Sequence, residues 1–454
     1  MQKLLAVTGF AAVAAAGTVS VPLSKHTKHN PRDDLSSVVR RDDSFDVSVL
    51  NNITGKGYYI DLGIGTPPQK LSFLVDTGSS DTWVNSVEAE FCTEGQTILY
   101  QQFAPSCMPQ FDSDESKTFE VVSRDFEIAY LDGSSAAGVY FNDTVTIDGD
   151  DAVLENQQLG LATDTSHPTG IMGLGMKVAV AARKVYPTII DNLVSQGFID
   201  TPAFSVYLDS LSEDSGTILF GGIDTKKYVG SLTTLPLKPD TLSDFDNITS
   251  YSVDLKGFSV DGGIDTPDLS TSAIFDTGST LTLLPENVVQ PIYDKLDVKT
   301  IADIPTPFID CKYAQDEYNK YKFNFKFDGV TITVPLRELV VDSLGELQET
   351  LKENYFFKDS FKDFGEICLF GIVDGGGYVV DDAPKYALLG DTFLRSAYVV
   401  YDLANQQLAV APAYTKSEES NIVTLKANSS LPKIKGMDGT STFYPVYPIT
   451  ETKR

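Results

Sequence analysis

Histidine is nearly absent from this chain, with three in 454 residues. Two of them, His26 and His29, fall in a basic N-terminal segment ending at the dibasic pair Arg40-Arg41. If that segment is cut away, His167 alone remains, in Thr165-Ser-His-Pro-Thr-Gly170, which reads as a loop. A Ser-His-Asp or Cys-His hydrolase would rest on that one residue, and a histidine-built metal site cannot be assembled. No Gly-x-Ser-x-Gly elbow occurs either. Cysteine is scarce as well: Cys92, Cys107, Cys311 and Cys368, with no Cys-x-x-Cys. Thiol redox catalysis and a zinc ribbon are therefore poor readings.

Positive charge is the next shortage. Thirty-five Lys and Arg face 63 Asp and Glu, a net charge of −28. Such a surface repels phosphate backbones and anionic membranes, so nucleic acid is not an expected partner. It also loses self-repulsion at low pH, which suits a protein working in acid. Acidic clusters at Asp112-Ser-Asp-Glu115 and Asp148-Gly-Asp-Asp151 lack the remaining ligands of a twelve-residue calcium loop. No metal or other cofactor is expected.

Long hydrophobic runs are missing except at the start, where Lys3 precedes the apolar, small-residue stretch Leu4 to Ala16. That pattern predicts a secretory signal peptide, residues 1–20, and is too short for a membrane span. Residues 21–41 follow as a basic propeptide, with Arg40 and Arg41 as the processing site. Sequons at Asn52, Asn142, Asn247 and Asn428 agree with secretion. In a secreted chain an even number of cysteines predicts disulfides, with three connectivities open. Pairing Cys92 with Cys107 and Cys311 with Cys368 closes the shorter loops. Residues 414–454 form a polar tail without an apolar terminus, so no lipid-anchor signal is read. A released, extracellular protein is the expectation, with vacuolar delivery as the alternative.

What the chain does have is a repeat. Phe73-Leu-Val-Asp-Thr-Gly-Ser-Ser-Asp-Thr-Trp-Val84 is answered 200 positions later by Ala273-Ile-Phe-Asp-Thr-Gly-Ser-Thr-Leu-Thr-Leu-Leu284. About a hundred residues beyond each lies a second matching pair, Thr169-Gly-Ile-Met-Gly-Leu-Gly175 and Tyr386-Ala-Leu-Leu-Gly-Asp-Thr-Phe-Leu-Arg395. An internal duplication follows, with lobes at 42–236 and 237–413. The cysteine pairing within halves respects it. Alternating Val, Ile, Tyr, Phe and Thr between Gly and Pro turns predict an all-β fold. Phe126 to Tyr140 reads as a hairpin with Asp132-Gly133 at its bend. Asp76 and Asp276 become candidates for one shared site.

With these motifs the chain resembles the pepsin-type aspartic proteases, and among them the secreted fungal yapsin and candidapepsin groups, over residues 55 to 413. The resemblance implies a bilobal fold with a long cleft and one catalytic aspartate per lobe, Asp76 and Asp276. It implies support from Thr77, Gly78, Ser79, Thr277, Gly278 and Ser279. It also implies a flap from Tyr130 to Gly138 with Asp132 and Gly133 at the tip, and Trp83 bonded to Tyr130. A carboxylate at the position of Asp132 implies acceptance of Lys or Arg beside the scissile bond (P1). Polypeptide substrates, pepstatin-type inhibitors and a monomer complete the expectation. Two carboxylates about 3 Å apart share one proton, so the charged one can activate water while the other protonates the scissile carbonyl. Two departures stand out: Leu131 where many members have glycine, and Asp81, often Asn, expected to add negative charge near the site. An inactive pepsin-like protein that binds peptides or inhibitors is the alternative.

Overall fold

The computed structural model describes residues 17–25, 57–93, 107–147, 152–213, 215–239, 247–301, 304–341, 344, 347–353, 359–375 and 386–439. The β-rich, two-lobed architecture expected from the sequence is present, and the two halves repeat one arrangement. In the first half, strand Gln69–Asp76 pairs antiparallel with Tyr58–Ile64 and parallel with Gly170–Gly173. Gly170–Gly173 then pairs antiparallel with Thr82–Asn85. In the second half, Thr271–Phe275 pairs antiparallel with Ser252–Leu255 and parallel with Tyr386–Leu389, which meets Thr282–Leu284. Each Asp-bearing strand is thus held between a leading antiparallel strand and a parallel one arriving from about a hundred residues downstream.

Period-2 alternation does the positioning. Phe73 and Val75 are fully buried in the core, which leaves Leu74 and Asp76 to the opposite face. Ala273 and Phe275 are likewise buried, and Ile274 and Asp276 take the other face. A slip of one residue would turn both aspartates into the core, so burial of Phe73, Val75 and Phe275 sets the register.

A sheet built from both halves joins the lobes. Its order runs Thr233–Pro236, Gln407–Pro412, Ala397–Asp402, Ala203–Leu208, Ser215–Phe220 and Val19–Lys25, continuing into Tyr58–Ile64. The two halves meet where Ala203–Leu208 pairs with Ala397–Asp402 and Phe204 stacks on Tyr401, ring centroids 4.7 Å apart. A buried ion pair reinforces the junction: Arg395 Nε donates to Glu338 Oε2 at 3.0 Å, and the same oxygen accepts from the Leu211 backbone at 2.8 Å.

Residues 17–25, expected to span the end of a leader and the start of a basic propeptide, contribute a strand to the interlobe sheet. Val19–Lys25 is a sheet strand whose Val19, Val21 and Leu23 are buried, paired with Ser215–Phe220 along its length and with Tyr59 and Tyr58 at its end. The Val-Ser-Val-Pro-Leu alternation carries that information, but it lies between an apolar run and a basic one. Arg40, Arg41 and Asn52 lie outside the described residues.

The tail, read from the sequence only as polar, is docked over residues 414–439. Ile422–Thr424 pairs with Gly222–Asp224, and Leu425 and Leu431 pack on Ile223, Tyr228 and Tyr398 behind the interlobe sheet. Both disulfides join cysteines of one half, Cys92–Cys107 and Cys311–Cys368, with Cα separations of 5.6 and 5.1 Å.

Candidate active site

Asp76 and Asp276 come together at the ends of their strands, buried at the bottom of a cleft of about 160 Å³. The turns beneath them interlock. The Thr77 backbone N–H donates to Thr277 Oγ1 at 3.1 Å, and the Thr277 N–H to Thr77 Oγ1 at 3.0 Å. Each hydroxyl in turn donates across the pseudo-dyad, Thr77 to the Phe275 carbonyl and Thr277 to the Val75 carbonyl, both at 2.9 Å. Four buried bonds thereby tie the two turns to each other.

Each carboxylate is dressed in the same way. The Gly78 N–H donates to Asp76 Oδ1 at 2.7 Å, and the Gly278 N–H to Asp276 Oδ1 at 2.9 Å. The Ser79 hydroxyl bonds Asp76 Oδ2, and the Ser279 hydroxyl bonds Asp276 Oδ2 at 2.7 Å. Glycine is required by the crossing of the turns: a Cβ at Gly78 would lie 2.7 Å from Asp276 Oδ1, and one at Gly278 would overlap Asp76 Oδ1. Burial first, and the Asp276 charge second, push the Asp76 pKa well above the ordinary carboxylate range. The bonds from Ser79 and Gly78 act in the opposite direction.

The floor around the aspartates carries the same symmetry. Leu74 and Ile171 are in register on one side, Ile274 and Leu388 on the other, and all four line the cleft. These pairs offer apolar surface to whatever lies across the carboxylates.

A hairpin of Glu120–Ala129 and Ser135–Ile147 covers the cleft, turning through residues 130–134. Its bend is closed by the Gly133 N–H donating to the Tyr130 carbonyl at 3.0 Å, with Gly133 at φ +82°. Asp132 Oδ1 accepts from both the N–H and the hydroxyl of Ser134, at 2.9 and 2.6 Å. Among the described residues, Oδ2 of Asp132 has no hydrogen-bond partner. Trp83 Nε1 donates to the Tyr130 hydroxyl at 2.6 Å, anchoring the flap to the lobe.

Asp81, expected to add negative charge near the site, does not itself line the cleft, but its charge acts on the flap residue Tyr130, which does. Asp81 is fully buried and accepts from the Tyr140 hydroxyl at 2.9 Å, the Tyr186 hydroxyl at 2.7 Å and the Ala181 N–H at 2.6 Å. The three donors make Asp81 a cross-link between the first Asp-Thr-Gly turn, the flap strand and the segment that carries Ala181 and Tyr186. His167 differs in the other direction, since the loop that carries it reaches the cleft wall. Its ring stands edge-on to Trp83, with centroids 6.3 Å apart. Of the sequons, Asn142 is half-buried within a flap strand, while Asn247 and Asn428 are exposed.

Residues 57–413 match the family model for eukaryotic aspartyl proteases. The chain belongs to that family. It is 35% identical over 396 residues to a probable aspartic-type endopeptidase, OPSB, of Arthroderma benhamiae, covering 85% of this chain and 74% of the relative. It is also 32% identical to secreted aspartic protease 8 of Candida albicans, over 83% of this chain and 80% of that one. The aspartic proteinase of Irpex lacteus shares its fold, with a TM-score of 0.62 at 22% identity, over 89% of this chain and all of the other. This aspartyl protease is therefore an aspartic-type endopeptidase, a hydrolase acting on polypeptides. Among its described residues no group of three His, Cys, Asp or Glu could hold a metal, and no helix is long and apolar enough to cross a membrane.

Proposed function

We propose that this protease is secreted and cuts extended polypeptides at acid pH, with Asp76 and Asp276 as its catalytic pair. The observation that carries the reading is the mutual Thr77–Thr277 lock, which holds two buried carboxylates against one another. Two such groups keep one proton between them. The ionised member takes a proton from water as the water attacks the scissile carbonyl carbon. The protonated member donates to the carbonyl oxygen, and proton return to the leaving nitrogen breaks the C–N bond. Water is the nucleophile, and Ser79 and Ser279 hold the outer carboxylate oxygens rather than attack.

The flap adds the binding half. Its backbone can hydrogen-bond an extended chain, Leu74 and Ile171 with Ile274 and Leu388 take flanking apolar side chains, and closure excludes water. Asp132, with Oδ2 uncommitted, would favour a Lys or Arg at P1. Segment removal at Arg40-Arg41 and sugars at the sequons belong to the same reading of a secreted enzyme.

Cut-site mapping on a denatured protein mixture tests this reading. Asp276→Asn should lower cleavage by at least about 10³-fold. Asp132→Ala should lower the ratio of Lys to Leu cuts about fivefold, the worth of roughly 1 kcal/mol for a half-exposed ion pair. An unchanged ratio would remove Asp132 from P1 recognition while leaving the catalytic pair standing.

A further inference from the structure

His167 and Asp132 both line the cleft, Asp132 at the tip of the flap and His167 on the loop beside it, where the Ser166 N–H donates to the Ser135 carbonyl at 3.0 Å. The imidazole is held in one pose. Its backbone N–H donates to Thr165 Oγ1 at 2.9 Å, its carbonyl accepts from Asn85 Nδ2 at 2.9 Å, and its ring packs on Trp83. Nδ1 lies 3.3 Å from the Thr169 carbonyl oxygen, a contact that is favourable only if Nδ1 carries the proton. That assigns the neutral tautomer and leaves Nε2 as a lone pair, with no partner among the described residues. On Asp132, Ser134 occupies only Oδ1. The two groups therefore each hold an unused polar atom, and the Asp132 charge already acts on the ring.

We propose that His167 is a positioning residue for P1 specificity: when protonated it draws the Asp132 carboxylate to itself and withholds it from a cationic P1 side chain. The preference for Lys over Leu at P1 then rises with pH, as His167 loses its proton and releases Asp132. This inference rests on the reading of Asp132 given above. Burial moves His167 below the usual imidazole range, while Asp132 and the Thr169 carbonyl oppose that shift, so the release falls on the acid side of neutrality. The other ionisable groups lining the cleft are Asp76, Asp276 and Tyr130. Trp83, Asn85, Thr165 and Thr169, which hold the ring, carry no charge. Titration of Asp76 and Asp276 changes turnover of every substrate together, and so cancels in a ratio of two substrates.

The test is kcat/KM for two peptides differing only in Lys or Leu at P1, from pH 4.5 to 7, above the ordinary carboxylate titration. In the wild type the Lys-to-Leu ratio should climb by up to about fivefold, the full worth of Asp132. His167→Gln should give a ratio that is high and flat, and Asp132→Ala one that is low and flat. A His167→Gln enzyme whose ratio still climbs as in the wild type overturns the proposal while leaving Asp132 as a P1 determinant. A ratio unmoved by Asp132→Ala overturns both. Should His167→Gln fold poorly, imidazole NMR of Asp132→Asn reads the same coupling, because loss of the Asp132 charge must lower the His167 midpoint. An unshifted midpoint overturns the proposal.

Discussion

At Asp76 the proposed catalytic role and stability pull in opposite directions. Its carboxyl holds a proton more tightly in the folded chain than in the unfolded one, because burial and Asp276 both penalise the charge. The stabilisation this gives is complete below the unfolded pKa, near 4, and is lost as pH rises through the raised folded value. Asp76→Asn should therefore melt above the wild type at pH 7 and close to it at pH 3, which calorimetry at the two values would reveal. Equal melting differences at both pH values would show that the pair carries no such strain. Asp81 is the opposite case, a buried carboxylate fully supplied with donors. Asp81→Asn leaves one acceptor oxygen for three donors, so a loss of about 1–3 kcal/mol is expected in denaturant unfolding. The sequence announced the position of Asp81 but not its partners, because Tyr140 and Tyr186 lie 59 and 105 residues away. His167 escaped for a similar reason: a loop residue between Thr165 and Pro168 carries no periodic signal of which wall it joins.

At the scale of elements, the two strands that carry Asp76 and Asp276 were the most legible part of the chain. Phe73-Leu-Val-Asp and Ala273-Ile-Phe-Asp state register and face directly, since alternate residues must go to opposite sides. The flap was legible from Asp132-Gly133, and Gly133 does occupy the positive-φ position that such a bend needs. Less legible was the strand Val19–Lys25, where composition spoke for export and only the alternation for a sheet. The disulfides follow the duplicated halves but differ in span, 15 residues for Cys92–Cys107 and 57 for Cys311–Cys368. Loop-closure entropy makes the longer one worth about 4 kcal/mol against about 3 for the shorter. Replacing Cys311 and Cys368 by serine should accordingly cost more unfolding free energy than replacing Cys92 and Cys107. The reverse order would mean that the second-half loop retains structure when unfolded.

Across the whole molecule, the interlobe sheet is the common support, and the tail is fastened to its outer side. Lys226 pairs with Glu419, Lys426 with Asp200, and the Tyr228 hydroxyl donates to the Ile434 carbonyl at 3.1 Å. Exposed ion pairs contribute little, so burial of Leu425 against Ile223, Tyr228 and Tyr398 must supply most of the attachment. Leu425→Ala should cost about 2–4 kcal/mol and free the tail for proteolysis, read as a lower melting temperature and early nicking after residue 414. A variant that melts like the wild type would show that the tail rests on the sheet without stabilising it. This contact lies beyond the repeated motifs, in sequence whose polarity gave no sign of a packed face.

The proposed activity depends on a carboxylate pair shared by the two lobes, and one experiment reaches it directly. The processed protein and its Asp76→Asn variant, both checked for folding, are incubated with a denatured protein mixture from about pH 3 to pH 7, with and without pepstatin. Cleavage confined to acid pH and abolished by either the substitution or the inhibitor is the predicted result. Cleavage that survives Asp76→Asn, or folded wild-type protein that cuts nothing at any pH, would contradict it.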